Sequence, residues 1–342
     1  MDREVFFLKD SGINDWLVSG FAKRDFPVHF IGVKSPPKTA SLSRLKRIQT
    51  LHYRYLSHAY ESLIRSKKDD VLICFLDVMG LYVFMLSKVL FKRREIIVIN
   101  IMFNKGHDII TLVKKIFYRW MLKSKHVHPT VTSPELSIVY GKIFRLPQKK
   151  FFLLHDCYGD LEKSQIPQEE IDDYIFCGGS NGRDWETIKK VASLLPHINF
   201  VVVGPKENSL GYNLPANISY FYNISYQKFH KLIRGCKLLA LPLNTEAPAG
   251  LIVLFTAGLM SKAVITTDNY TMREYIASGE DGILVKMGDI DTFTYETNAL
   301  YQDNVRCLEF GQMLCKKVEE LGSPEAFIDT LISITRQITQ PK

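Results

Sequence analysis

The feature that most constrains this chain is an alternation of strand-like and helix-like runs that lapses once, in an acid-rich stretch, and then begins again. Glu4–Leu8, Pro27–Val33, Asp70–Phe75, Glu95–Ile101, Pro129–Thr132 and Lys150–Leu154 read as strands. Between them, Ile13–Lys23, Arg44–Ile64, Leu81–Phe91, Ile109–Leu122 and Leu136–Phe144 carry helical periodicity, as in Leu45, Ile48, Leu51, Tyr55, Ala59 and Leu63 at steps of three and four. Cys157–Asp172 has no apolar period and reads as a linker. The pattern then resumes with strands at Tyr174–Cys177, Asn199–Val203, Ile218–Tyr222, Lys237–Leu243, Ala263–Thr267 and Gly282–Val285. Helices are expected at Trp185–Leu195, Gln227–Arg234, Leu251–Met260 and Met272–Ala277, with two or three more at the C-terminus. Short, continuous Val/Ile/Leu strands separated by helices form parallel sheets covered on both faces. The expected class is therefore α/β, with two Rossmann-like domains at 1–160 and 161–342. Ligands in such sheets bind at the C-terminal strand ends, hence in a cleft between the domains.

With 342 residues and 46% hydrophobic content the chain can bury such cores, and a charged fraction of 23% excludes wholesale disorder. Cys74, Cys157, Cys177, Cys236, Cys307 and Cys315 have no metal-ligand spacing, which implies no metal site and a reducing compartment. The N-terminus has no signal-peptide shape. The longest apolar stretch, Val71–Phe91, contains Asp77, Lys88 and a Met79-Gly80 break, and reads as strand, loop and helix rather than a membrane span.

Two turns in the second half stand out. After strand Tyr174–Cys177 comes Gly178-Gly179-Ser180-Asn181-Gly182-Arg183-Asp184. Glycines admit a diphosphate close to the backbone, Ser180 or Asp184 is placed to cap the next helix, and Arg183 supplies fixed bidentate donors. The second turn, Asn244-Thr245-Glu246-Ala247-Pro248-Ala249-Gly250-Leu251, puts a carboxylate and small residues at a helix start. Backbone amides there suit phosphate or sugar oxygens, and Glu246 suits sugar hydroxyls, unless it merely complements the helix dipole.

The run Gly250-Leu251-Ile252-Val253-Leu254-Phe255, followed by Ala257, Ser261-Lys262-Ala263-Val264-Ile265-Thr266-Thr267-Asp268, Met272-Arg273-Glu274-Tyr275-Ile276, Gly279-Glu280-Asp281-Gly282-Ile283-Leu284-Val285 and Gly288-Asp289, resembles the C-terminal domain of GT-B nucleotide-sugar glycosyltransferases, in particular the retaining family four. That resemblance implies the GT-B fold and a nucleotide-sugar donor, UDP- or GDP-linked, with no further cofactor. It places Gly178, Gly179, Arg183, Lys206, Glu246, Ala249, Gly250, Leu251 and Thr256 at the donor. Two departures stand out. Thr256 occupies the position of the family's second glutamate, which would grip the ribose diol, and the family's Arg–Lys pair is reduced to Arg183, with Lys206 as a possible second charge.

Transfer needs charge stabilisation on the leaving diphosphate, for which Arg183 and the amides near Gly182 and Ala249–Leu251 are candidates. An inverting reaction also needs a base. Asp10 and Asp15, flanking Gly12, and Asp77, at the end of the third strand, are placed for it. A retaining reaction, as the resemblance implies, needs no conventional base. Asn104 and His107 are candidates for orienting acceptor or donor sugar, and Glu246 completes the catalytic set.

The net charge of +8 is unevenly spread. Residues 1–160 carry 27 Lys+Arg against 14 Asp+Glu, leaving 17 against 22 for the remainder. Lys92-Arg93-Arg94 follows an apolar helix, and Ile109–Leu122 mixes apolar residues and Trp120 with Lys114, Lys115 and Arg119, a basic amphipathic helix. A partnerless solvated face and nucleic-acid binding compete with docking on an anionic membrane. No nucleic-acid platform is apparent, and the favoured partner is the anionic lipid surface. The expected protein is a cytoplasmic glycosyltransferase, peripheral on the inner face of the cell membrane, acting on a glycan or polyprenyl-diphosphate-linked acceptor. The alternatives are another GT-B-shaped enzyme such as a nucleotide-sugar epimerase, or a non-catalytic membrane-binding partner of a transferase.

Overall fold

The computed structural model describes residues 3–10, 12–32, 44–103, 106, 108–159, 161, 172–205 and 214–340. It divides into two compact units, Met1–His155 with Pro324–Lys342, and Asp156–Ser323. Each is built on a six-stranded parallel sheet.

In the first unit the strands are β1 (Val5–Leu8), β2 (His29–Ile31), β3 (Val71–Phe75), β4 (Glu95–Ile99), β5 (Val127–Val131) and β6 (Phe152–Leu153), in the order β2-β1-β3-β4-β5-β6. The helices are α1 (Asp15–Ala22), α2 (Arg44–Arg65), α3 (Asp77–Val89), α4 (Ile109–Lys123) and α5 (Pro134–Phe144). Strand residues such as Phe7, Leu8, Ile73, Cys74 and Ile97 have no exposed surface, as parallel strands covered on both faces require. α3 begins at Asp77, four residues before its expected start, so Met79-Gly80 lies inside the helix. Gly80 is there for packing, since a Cβ on it would lie 2.6 Å from a Val98 methyl of β4.

The second unit contains β7 (Tyr174–Gly178), α6 (Trp185–Leu194), β8 (Asn199–Gly204), β9 (Ile218–Tyr222), α7 (Tyr226–Gly235), β10 (Leu238–Leu241), α8 (Leu251–Leu259), β11 (Ala263–Asp268), α9 (Met272–Tyr275), β12 (Ile283–Lys286), α10 (Ile290–Gln302) and α11 (Asn304–Leu321). Its strand order is β12-β11-β10-β7-β8-β9.

The last helix, α12 (Pro324–Thr339), packs with the first unit, whereas the division at 160/161 assigns it to the second. Ile328 sits against Gly20 of α1, where a Cβ would be only 2.1 Å from its terminal methyl. Phe327 meets Trp16 edge-on at 5.8 Å, and Asp329 pairs with Arg24. These contacts span some three hundred residues of sequence, which is why local pattern assigns α12 to its chain neighbours. Most of the linker stretch Cys157–Asp172 lies outside the described residues.

In both sheets the strand order reverses once. In the second unit the reversal falls between β7 and β10, in the first between β1 and β3. Loops leaving such neighbouring strands diverge and open a crevice at the strand ends.

Candidate functional site

The two glycine turns picked out in the sequence leave the strands on either side of the second unit's reversal, and the backbone ties them together. Asn244 N–H donates to the Gly182 carbonyl at 3.0 Å and Asp184 N–H to the Pro242 carbonyl at 2.9 Å. Gly182 has φ +67, and a Cβ on it would strike Thr245 at 2.5 Å and Ala249 at 3.0 Å. The contact between the turns thus requires a glycine. From β11, Thr267 accepts from Leu243 N–H at 2.7 Å, and Asn269 donates to the Thr245 carbonyl at 3.0 Å. Local sequence does not mark Thr245 or Asn269 as site residues, because their pairing depends on a strand that arrives later in the chain.

Arg183 lies at this junction and is only 5% exposed. Its Nε donates to the Gly178 carbonyl at 2.7 Å and its Nη1 to the Asn181 carbonyl at 2.9 Å. The Nη2 lies over Gly179, where a Cβ would be 2.3 Å away. Among the described residues no carboxylate pairs with the guanidinium. Burial lowers its pKa from the ordinary value, yet a guanidinium stays protonated at any physiological pH. A cation out of water without a counter-ion is costly, and an anion at this junction would offset that cost.

The neighbouring helix starts supply the second element. Asp184 caps α6, accepting from Thr187 N–H at 3.1 Å and from its hydroxyl at 2.7 Å, so that helix end already holds a carboxylate. α8 begins differently. Its N-cap is Gly250, in the left-handed region at φ +84, with no side-chain cap. Among the described residues no side chain accepts from the first N–H groups of α8, and no acidic residue lies in its first turn to oppose the positive end of the helix dipole. A Cβ at Gly250 would lie 3.5 Å from Arg183 Nη1, which puts the uncapped helix start next to the buried cation. Ala249 and Leu251 flank it, both buried.

Glu246 is exposed and accepts from Tyr270 N–H at 3.4 Å. Thr256 is 1% exposed, and its hydroxyl donates to the Ile252 carbonyl of its own helix at 2.7 Å. Its position is thus inside α8 rather than at the helix mouth beside Gly250. Lys206 lies outside the described residues.

In the first unit, Asp10 and Asp77 follow β1 and β3 on either side of that sheet's reversal. Asp10 accepts from the Tyr55 hydroxyl of α2 at 3.3 Å. Asp77, 4% exposed at the start of α3, accepts from Met102 N–H at 2.9 Å, and burial raises its pKa while Met102 and the Tyr118 hydroxyl draw it back. Burial, and next Asp10, raise the pKa of Tyr55, which also feels Asp77. Asp77 is preceded by Leu76 at φ +82, a strained position for a branched side chain. Asp10, Asp77, Tyr55 and Tyr118 thus form one polar cluster, and the two tyrosines are additions that spacing alone does not reveal. Asp15 stands apart, exposed in the first turn of α1. Asn104 and His107 lie outside the described residues.

The basic residues separate into two groups. Arg94 is buried, with Nε on the Ser66 hydroxyl at 2.7 Å and Nη1 on the Arg93 carbonyl at 2.8 Å, so it braces the first unit and faces no partner. Lys92 is half-buried and donates to the Leu63 carbonyl at 3.1 Å. Arg93, Lys114, Lys115 and Trp120 are exposed, and Arg119 is partly buried. Among the described residues no three His, Cys, Asp or Glu side chains are grouped to hold a metal ion, and no helix is long and apolar enough to cross a membrane.

Comparison with known proteins follows this division of the chain. Residues 185–315, within the second unit, match the family glycosyl transferases group 1. No curated protein matches the chain by sequence. Among solved structures, a sucrose-phosphate synthase from Thermosynechococcus elongatus superimposes with a TM-score of 0.75 at 13% identity, over 98% of this chain and 99% of that one. HepE from Anabaena, solved with UDP-glucose, gives 0.67 at 11% identity over 98% and 100%. A TarM variant from S. aureus, solved with fondaparinux, α-GlcNAc-glycerol and UDP, gives 0.63 at 15% identity, over 82% of this chain, which spans 58% of the TarM chain. The chain has the GT-B fold of these glycosyltransferases.

Proposed function

We propose that the chain transfers a sugar from a nucleoside-diphosphate donor, which the second unit holds, to an acceptor held by the first. The observation that carries this reading is the buried guanidinium of Arg183, which pairs with no carboxylate among the described residues, beside the start of α8 on Gly250. A diphosphate supplies the missing counter-charge and the acceptors for the amides of Leu251 and Ile252, and the same groups stabilise it as the leaving group. Glu246, exposed at the edge of the same turn, is assigned to hydroxyls of the donor sugar. The match of residues 185–315 to a transferase family, and the UDP and UDP-glucose in HepE and TarM, support this reading. The acceptor is assigned as a lipid-linked or surface glycan, the outcome as retention, and the location as the cytoplasmic face of the cell membrane. The basic, membrane-compatible surface of the first unit supports the last of these. Asp10 and Asp77 are then acceptor-positioning groups.

A panel of UDP-, GDP- and dTDP-sugars tests the donor assignment by thermal stabilisation. One of them should stabilise the protein by about 2.7 kcal/mol at roughly one hundred times its Kd. Absence of any shift across the panel contradicts it. A second reading, nucleotide binding without transfer, is favoured by Thr256, whose hydroxyl is engaged within α8. Donor-dependent stabilisation with neither transfer nor donor hydrolysis would select it.

A further inference from the structure

We infer that the first unit docks on anionic phospholipid through the outward face of α4 and a cationic pocket beside its last turn, which seats a lipid headgroup phosphate. This deepens the membrane-side part of the function proposed above and is independent of the donor chemistry.

Three observations carry it. The first is the orientation of α4. The helix starts on Asp108, which accepts from Thr111 N–H at 2.9 Å, and buries Tyr118, Met121 and Leu122. Its other apolar residues point away from that face. Ile109, Val113, Ile116 and Trp120, at steps of four, three and four, are 78%, 45%, 68% and 47% exposed. A helix of a water-surrounded domain turns its apolar stripe inward, and one lying in a membrane interface turns it outward. Lys114, Lys115 and Lys123 are also exposed, and none forms an ion pair among the described residues.

The second is Phe91. It ends α3 in a Schellman turn, in which Lys92 N–H reaches the Ser87 carbonyl at 2.9 Å and Phe91 N–H the Lys88 carbonyl at 3.3 Å. The left-handed position of that turn is normally glycine, yet Phe91 takes it at φ +55 with its side chain 95% exposed. Backbone strain and a fully solvated aromatic at one position make sense when the ring enters an apolar phase.

The third is a cavity of about 380 Å³, lined by Lys88, Lys92, Arg93 and His126 with Phe84 and Phe91 on its apolar side. It opens at the N-terminal end of β4, the opposite end of the sheet from Asp10 and Asp77. Among the described residues no carboxylate lines it. The nearby Glu95 is already held by His126 at 2.7 Å and His128 at 2.8 Å. Phe84 joins pocket and helix, meeting Trp120 edge-on at 5.2 Å.

A phosphodiester headgroup, with its acyl chains beside the aliphatic stripe and Phe91, fits all three. A free phosphate gives no role to the stripe. A second copy of this chain would bring an equally basic face against it.

The full chain is centrifuged with vesicles of phosphatidylcholine alone and of equal parts phosphatidylcholine and phosphatidylglycerol. Binding to the mixed vesicles and little to the zwitterionic ones is expected. Lys88→Ala combined with Arg93→Ala should weaken it roughly thirtyfold, and Phe91→Ser roughly tenfold or more. Ile116→Asp should nearly abolish it. All these residues are exposed, and unchanged melting temperatures confirm that the variants fold. Equal binding to both vesicle types, or variants that bind like the parent, overturn the proposal. So does stabilisation by inorganic phosphate without vesicle binding, which marks a soluble-phosphate site. A dimer lost in Ile116→Asp without vesicle binding likewise overturns it. UDP-induced stabilisation on the same samples reads the donor assignment separately, so either reading can fail alone.

Discussion

The helices α6 and α8 leave adjacent strands of one sheet through glycine turns, yet they begin in opposite electrostatic states. α6 is closed by Asp184, whose carboxylate fills the position a phosphate would take. α8 starts on Gly250 with no side-chain cap, beside the buried Arg183. Under the proposed function, this difference assigns the diphosphate to the start of α8 rather than to that of α6. The first turn contributes the cation and the framework, and the second contributes the open helix end. A glycine-rich turn after a strand is therefore not enough to mark a phosphate site. What matters is whether the helix that follows has already been supplied with a negative charge.

Substitutions at the two turns break or sharpen this contrast. Arg183→Ala should have the largest effect, removing nucleotide-induced stabilisation altogether. The variant also loses hydrogen bonds to the Gly178 and Asn181 carbonyls, at a stability cost of about 1–3 kcal/mol visible in chemical denaturation. Next, Gly250→Val places a β-branched residue at φ +84, a strain of about 1–2 kcal/mol, and tilts the amides of α8. A drop in donor affinity of roughly tenfold is expected by titration calorimetry. Glu246→Gln should weaken the nucleotide sugar by a few-fold while leaving the bare nucleoside diphosphate unchanged, so equal losses for both ligands would move Glu246 off the sugar. Asp184→Ala should cost about 1 kcal/mol in thermal stability through the lost cap, with donor affinity intact. A large affinity loss there would return the anion to α6.

The sequence made the strands and most helices readable because each obeys a local rule, and the turns stood out because glycine, arginine and glutamate cluster at strand ends. It did not reveal which members of a similar run share a task. Arg94 reads like Lys92 and Arg93, but the Ser66 hydroxyl and nearby carbonyls draw it inward. Thr256 fills a family position, yet its hydroxyl is turned to Ile252. α4 was recognisable as amphipathic, whereas the direction of its apolar face depends on Tyr118, Met121 and Leu122 being the residues that meet the rest of the unit. The placement of α12 rests on Gly20 and Ile328, a fit between distant residues that no local period encodes.

Arg183 and the start of α8 are together proposed to hold a diphosphate. The most direct test titrates the full chain with UDP, GDP and dTDP and with the matching monophosphates. One diphosphate should bind at least roughly tenfold more tightly than its monophosphate, the value of about one charge-assisted hydrogen bond, and the gap should close in Arg183→Ala. Equal affinity for mono- and diphosphate, or a gap that survives the substitution, would contradict it.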